Sequence, residues 1–347
     1  MDSTRTQNKN VLNIKTAGKR PEILFTFAHV TDSHLYDISD SPVYERPSIY
    51  GPTLDVISPL VESLNAEREH PLPDFVVFGG DNIDGGIPGP FDHGKTCDRQ
   101  MRRLKRMLDG LKTPAYVVGH THEVWSEDPE GIRVILGQIP DLPPNYVPPG
   151  PGAGAALRAC FGKESFRRVI TLPGNFTAIF MSECQMENGE FVTIEKRLDW
   201  LAAELEKARD KWVLFFSHVP IIWSRQPNHR FPPQFRSYNF SGSHEPLRAL
   251  FARHGRVLAQ YAGHLHVHGH DLSGGTHIVT TSGLGNYPGE YRLVTVKRDR
   301  IEHRCVRIPA LAKQPMCWTD CVDEAHPSVD LFHHGLPEER DFEIRYN

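Results

Sequence analysis

Five times along this chain a short apolar run ends in an aspartate or a histidine. Ile23 to Val30 leads into Thr31-Asp32-Ser33-His34, and Phe75 to Phe78 into Gly79-Gly80-Asp81. Ala115 to Val118 leads into Gly119-His120-Thr121-His122-Glu123, Trp212 to Phe216 into Ser217-His218, and Val257 to Ala262 into Gly263-His264-Leu265-His266. Apolar runs of about four to eight residues have the length of buried strands. Helical periodicity separates several of them, at Leu54, Ile57, Val61 and Leu64, at Met101, Leu104, Leu108 and Leu111, and at Leu198, Leu201 and Leu205. Strands alternating with amphipathic helices predict an α/β sandwich with several parallel strands. Open sheets of this kind gather ligands at the carboxyl ends of their strands, where these polar endings would fall.

Within 347 residues, the division expected is a polar leader at 1–21, a main domain at 22–306 and a tail at 307–347 packed on the core. Irregular insertions are expected at 124–160, where Pro140, Pro143, Pro144, Pro148, Pro149 and Pro151 crowd together, and at 223–243. The net charge of −4 gives no reason to expect nucleic acid or an anionic membrane as partner. The leader lacks an apolar signal-like core and no segment has the apolar length of a membrane span, so a cytoplasmic location is expected. The cysteines form no CxxC pair or compact framework and read as mainly reduced thiols, with Cys317 and Cys321 a candidate tail staple.

Imidazole dominates over oxygen in the strand-end set, which suits first-row divalent metals better than calcium or magnesium. A shared aspartate can bridge two cations about 3.5–4 Å apart. Any one of these residues alone is more often structural; an ordered set of five, each directly after an apolar run, is not explained by coincidence.

Asp32-Ser33-His34, Gly80-Asp81-Asn82-Ile83-Asp84, Gly119-His120-Thr121-His122-Glu123, Ser217-His218 and Gly263-His264-Leu265-His266 together resemble the motifs of the calcineurin-like metallophosphoesterases. The helix around Arg197-Leu198-Asp199-Trp200-Leu201 adds to the likeness, which runs from about Leu24 to Glu302. The resemblance implies a four-layer αββα sandwich with two central mixed sheets. It also implies hydrolysis of a phosphate monoester or diester, with a small molecule as substrate and a hydroxide between two divalent ions as nucleophile. Manganese or iron is expected first, with zinc as a further candidate. Asp32, His34, Asp81 and His266 would hold one ion; Asp81 would bridge to a second held by His218 and His264. His122 would touch the phosphate and protonate the leaving oxygen, with Glu123 orienting it.

The chain departs from the family where an asparagine usually completes the second ion's shell, because Thr121 falls there and His120 falls at the usual glycine. Three outcomes stand open: a weakened second ion, His120 as an imidazole replacement, or a different reaction. The alternatives to ester hydrolysis are therefore an oxidative dinuclear iron or manganese enzyme and a non-catalytic, metal-supported binding protein. Asn82, Tyr44, Arg46, Arg225, Arg230 and Arg236 are candidate substrate contacts, since arginine forks grip phosphate well.

Overall fold

The computed structural model describes residues 22–35, 55–66, 71–83, 93–124, 153–182, 186–187, 190–191, 194–222, 245–317, 319 and 321–346. In chain order its strands are β1 (Ile23–Val30), β2 (Phe75–Phe78), β3 (Ala115–Val117), β4 (Arg167–Leu172), β5 (Phe176–Met181), β6 (Met186–Glu187), β7 (Glu190–Phe191), β8 (Trp212–Phe216), β9 (Val257–Ala262), β10 (Gly269–Ser273), β11 (Thr276–Thr280), β12 (Glu290–Lys297), β13 (Arg300–Arg307) and β14 (Phe342–Arg345). The helices are α1 (Ile57–Asn65), α2 (His93–Leu108), α3 (Thr121–Val124), α4 (Ala153–Phe161), α5 (Ile194–Lys207), α6 (Glu245–His254), α7 (Val329–His334) and α8 (Pro337–Arg340).

Two six-stranded sheets carry the fold, in the orders β14-β13-β12-β1-β2-β3 and β10-β11-β9-β8-β5-β4. Both are mixed. β1, β2 and β3 run parallel, as do β5, β8, β9 and β11, while the remaining neighbours in both sheets are antiparallel. Side-chain alternation sorts each strand between two layers. On β1, Phe25 and Phe27 face the other sheet, whereas Ala28 and Val30 turn outward to a core shared with α1, α2 and α4. On β8, Leu214 and Phe216 face inward while Val213 and Phe215 pack outward with α5 and α6. The result is the four-layer αββα sandwich.

Aromatic rings fill the space between the sheets. Phe27 stacks on Phe75 at 5.2 Å and meets Phe216 at 5.4 Å and Tyr261 at 5.1 Å edge-on. Such pairs add about 0.5–1.5 kcal/mol beyond burial alone. Their rigidity holds β1 of one sheet over β8 and β9 of the other, which fixes where the ends of those strands lie.

The expected irregular stretch at 124–160 ends early, because α4 occupies its last residues and packs Ala156 and Leu157 into the outer core. The alanines of Ala153 to Phe161 are good helix formers and need only one apolar face to dock. The stretch at 223–243 lies outside the described residues. Beyond Arg307 the chain supplies α7, α8 and β14, the last an edge strand of the first sheet. Arg292 of β12, fully buried, donates to Thr280 O of the second sheet at 3.0 Å and to Arg340 O and Glu339 O of the tail at 2.9 and 3.1 Å. Cys317 and Cys321 are free thiols and do not staple the tail. No helix among the described residues is long and apolar enough to cross a membrane.

Phe342 of β14 is sandwiched by His270 at 4.0 Å and His303 at 4.2 Å, and His270 Nε2 lies 2.9 Å from His277 Nδ1. Burial, then the neighbouring His277, lowers His270 to about 4; burial, then Arg292, lowers His29 to about 3. Histidines depressed in this way bind protons more readily in the unfolded chain, so stability rises with pH between the folded and unfolded values. Unfolding midpoints are therefore expected to fall steadily from about pH 6.5 toward pH 4. A midpoint flat across that window in urea titrations contradicts the burial assigned to these rings. Phe27→Ala is expected to cost about 3–5 kcal/mol of stability in the same measurement.

Candidate metal centre

The loops that follow the parallel strands are tied to one another before any side chain is considered. Asp32 N donates to Gly80 O, His34 N to Asp81 O and Leu35 N to Asn82 O, each at 3.0 Å, so the first two motifs continue the β1–β2 pairing past the strand ends. Gly263 N donates to His218 O at 2.8 Å, joining the two motifs of the second sheet. His218 Nδ1–H donates to Gly79 O at 2.8 Å across the seam between the sheets. That bond fixes the tautomer and leaves Nε2 with its lone pair facing the carboxylates.

Asp32 sits at the centre of this seam. Its Oδ2 accepts from Thr31 Oγ1 at 2.8 Å and His264 N at 2.9 Å. Its Oδ1 faces three imidazole Nε2 atoms, of His266 at 3.2 Å, His218 at 3.6 Å and His34 at 3.8 Å. Asp81 is similarly surrounded: Oδ1 lies 3.0 Å from His120 Nδ1, and Oδ2 lies 3.1 Å from His218 Nε2 and 3.7 Å from His122 Nε2. Two groups of ligand-type atoms result, Asp32/His34/His266 and Asp81/His120/His218, each within 4.8 Å of one another and all buried. His264 completes the set, its ring 5.2 Å from that of His218.

Electrostatics and strain both single out this place. Burial alone would raise the two aspartates, yet His218 and His266 hold Asp32, and His218, His122 and His120 hold Asp81, well below the usual carboxylate range. Burial, then neighbouring imidazoles, pushes His34 and His264 well down, so they stand neutral. His266 is raised against the effect of burial, by Cys317 and Asp32. Asp32, His34, Asp81, His264 and His266 have φ between 41° and 69°, and only Asn175 shares that feature among the described non-glycine residues. Such conformations cost about 1–3 kcal/mol each and cluster at functional sites. Anionic carboxylates, imidazoles of which His34 and His264 stand neutral, and a backbone bent to aim them are the donor set a divalent transition metal takes.

The structure therefore brings together Asp32, His34, Asp81, His120, His122, His218, His264 and His266. One expectation needs correction. The Glu123 carboxylate does not turn to the His122 ring in its hydrogen bonds: it accepts from Asn82 N at 2.5 Å, Asn82 Nδ2 at 3.0 Å and His120 N at 2.7 Å. It braces the second and third motifs, and burial, then Asp81, lifts it to about 7. Asn82, a candidate substrate contact, is fully buried, with its amide nitrogen donating to Glu123 Oε1 and Val118 O. Its Oδ1 is buried without a hydrogen bond. Tyr44, Arg46, Arg225, Arg230, Arg236 and the Thr121 side chain lie outside the described residues. Sequence reasoning missed His333, whose Nδ1 lies 3.0 Å from His266 O, and Ser282, whose Oγ donates to the same carbonyl at 3.1 Å. Neither follows an apolar run, so the pattern that revealed the other residues could not reach them.

A four-layer sandwich with a buried Asp–His cluster at its seam is the arrangement of the metallophosphoesterases. The sequence profile of the calcineurin-like phosphoesterases matches residues 25–268, and the chain belongs to that family. Among solved structures, a dimetal phosphatase from Danio rerio is similar with a TM-score of 0.59 and 16% identity, covering 94% of this chain and 100% of that one. GAP50, the anchor in the inner membrane complex of Plasmodium, is similar with a TM-score of 0.46 and 13% identity over 83% and 86%. At such identities the likeness to the first speaks for the fold, and the second adds nothing to it. No curated protein sequence matches the chain.

Gly263 shows how tightly the cluster is packed. A Cβ there would overlap Thr31 Oγ1 and Asp32 Oδ2. Gly263→Ala is expected to cost about 1–3 kcal/mol and to displace the Asp32 carboxylate. Thermal unfolding and metal content of the variant check this; unchanged values for both refute the packing described.

Proposed function

We propose that the chain is a two-metal phosphoesterase that hydrolyses a small-molecule phosphate ester. The observation that carries this reading is the meeting, across the seam, of two Asp–His groups at the facing carboxylates of Asp32 and Asp81. Asp32, His34, Asp81 and His266 would hold one divalent ion, and Asp81, His120, His218 and His264 the other. His120 thus takes the part of the family's asparagine, an assignment favoured by its 3.0 Å approach to Asp81. Trading an amide oxygen for an imidazole nitrogen moves the second site toward iron, manganese or zinc and away from magnesium.

Bound ions of this kind polarise a phosphoryl oxygen and lower the pKa of water. The chain's own residues supply the rest. Asp32 and Asp81 place two negative charges beside the incoming phosphate, so an empty site would repel the substrate that a filled one would attract. Thr31 and the His264 amide keep Asp32 from rotating away. His122, beside Asp81 and with its ring 4.8 Å from that of His34, is suited to give a proton to the leaving oxygen.

With added Mn²⁺ the chain is expected to release nitrophenolate from nitrophenyl phosphate or its diester. Absence of release with manganese, iron or zinc would sink this proposal, and oxygen uptake by iron-loaded protein in its place would favour the oxidative alternative. His122→Ala is expected to lower kcat by about 10²–10⁴-fold. Asp81→Ala should abolish binding at both sites, while His120→Ala should take metal content from two ions per chain toward one. Elemental analysis after dialysis reads both; two retained ions in His120→Ala returns that residue to a structural role.

A further inference from the structure

His264 and His266 stand in a loop whose backbone is bent into the left-handed region at both residues, and such a bend persists only where its surroundings hold it. The alternate residues of the loop show what holds it. Leu265 and Val267 point away from the ligand side and form a buried apolar cluster with Phe332 and Cys321. On the polar side, His333 of α7 grips the loop twice. Its Nδ1–H donates to His266 O at 3.0 Å, and its own carbonyl accepts from His268 N at 3.1 Å.

The helix that carries His333 is itself fastened. Glu290 accepts from His268 Nε2 and from His334 Nε2, both at 3.1 Å, and from Arg307 Nε at 3.1 Å, with Arg340 at 3.6 Å. Gly335, which closes α7 at φ 77°, lies against His268: a Cβ there would meet His268 O at 3.1 Å and its Cβ at 3.2 Å. His268, Glu290 and Cys305 have the residue types of a third metal group. Arginines crowd that cluster, however: Arg307 and Arg340 reach Glu290, and Arg292 Nη2 lies 3.4 Å from His268 Nδ1. A cation has no place among them, and the cluster works as a fastening.

We infer that α7 is a buckle for the ligand loop, with His333 as a positioning residue that sets the carbonyl of His266 and through it the aim of both imidazoles. This rests on the two-ion reading above. The segment lies beyond residues 25–268, so nothing in the family match assigns it a part. Hydrogen-bonded supports behind metal ligands typically alter affinity or activity by about 10–100-fold.

Two substitutions of His333 separate a donor in the right place from mere bulk. Asparagine carries its amide N–H near the position of Nδ1, whereas glutamine carries it near that of Nε2. The full chain, wild type and variants, is titrated with Mn²⁺ by electron paramagnetic resonance, with unfolding midpoints measured alongside. His333→Gln is expected to weaken Mn²⁺ binding by about tenfold or more and to alter the signal of the coupled pair. His333→Asn is expected to stay within about threefold of wild type. Equal binding by both variants and wild type overturns the buckle and leaves the two-ion reading intact. Equal weakening by both, in step with their midpoints, also overturns it, since bulk alone would then matter. A wild-type chain that takes up no Mn²⁺, Fe²⁺ or Zn²⁺ overturns the two-ion reading and the buckle with it.

Discussion

The Asp32 carboxylate is the interaction on which the remainder turns. It is fully buried at the seam between two sheets, one oxygen held by Thr31 and the His264 amide, the other facing His34, His218 and His266. Taking a carboxylate out of water is costly unless it is paired and hydrogen-bonded. Asp81 nearby raises that cost, as it works against the ionisation of Asp32. The fold accepts it because the aromatic layer around Phe27, Phe75, Phe216 and Tyr261 already fixes the two sheets face to face. The strand ends then have no freedom to separate, and the acid groups stay confronted with imidazoles from the opposite sheet. Stability is made in the sandwich and spent at its rim.

Much of this is legible in the chain itself, for a physical reason. A buried parallel strand must be apolar along its length, and a ligand at its end must be polar; the contrast stands out at Val30-Thr31-Asp32, at Phe78-Gly79-Gly80-Asp81 and at Phe216-Ser217-His218. The helix Ile194–Lys207 is equally plain, since its apolar face repeats with helical spacing. Edge strands carry weaker contrast. β4, RRVITL, alternates against solvent, and β14, FEIR, is four residues with a single fully buried one, so neither announces a strand by composition.

Contacts set by tertiary placement were beyond reach. Glu123 follows His122 directly, and the family resemblance assigned it to orient that ring; the fold instead turns its carboxylate to Asn82 and the His120 amide. His120 illustrates the opposite case. Its position in the motif left its role open, and only the fold shows its Nδ1 3.0 Å from Asp81 Oδ1. The support behind His266 comes from residues 16 and 67 positions further along, a separation no local pattern encodes.

Arg292 gives the terminal segment a further significance. Its guanidinium, buried with no exposure to solvent, finds carbonyl oxygens in β11 of one sheet and in α8 of the tail, while its backbone belongs to β12 of the other sheet. Were the last helix to peel off, two of those acceptors would leave and a cation would be stranded in a dry interior. Fraying from the carboxyl end is thereby coupled to opening of the whole sandwich, and the molecule should melt as one cooperative unit instead of shedding its end first.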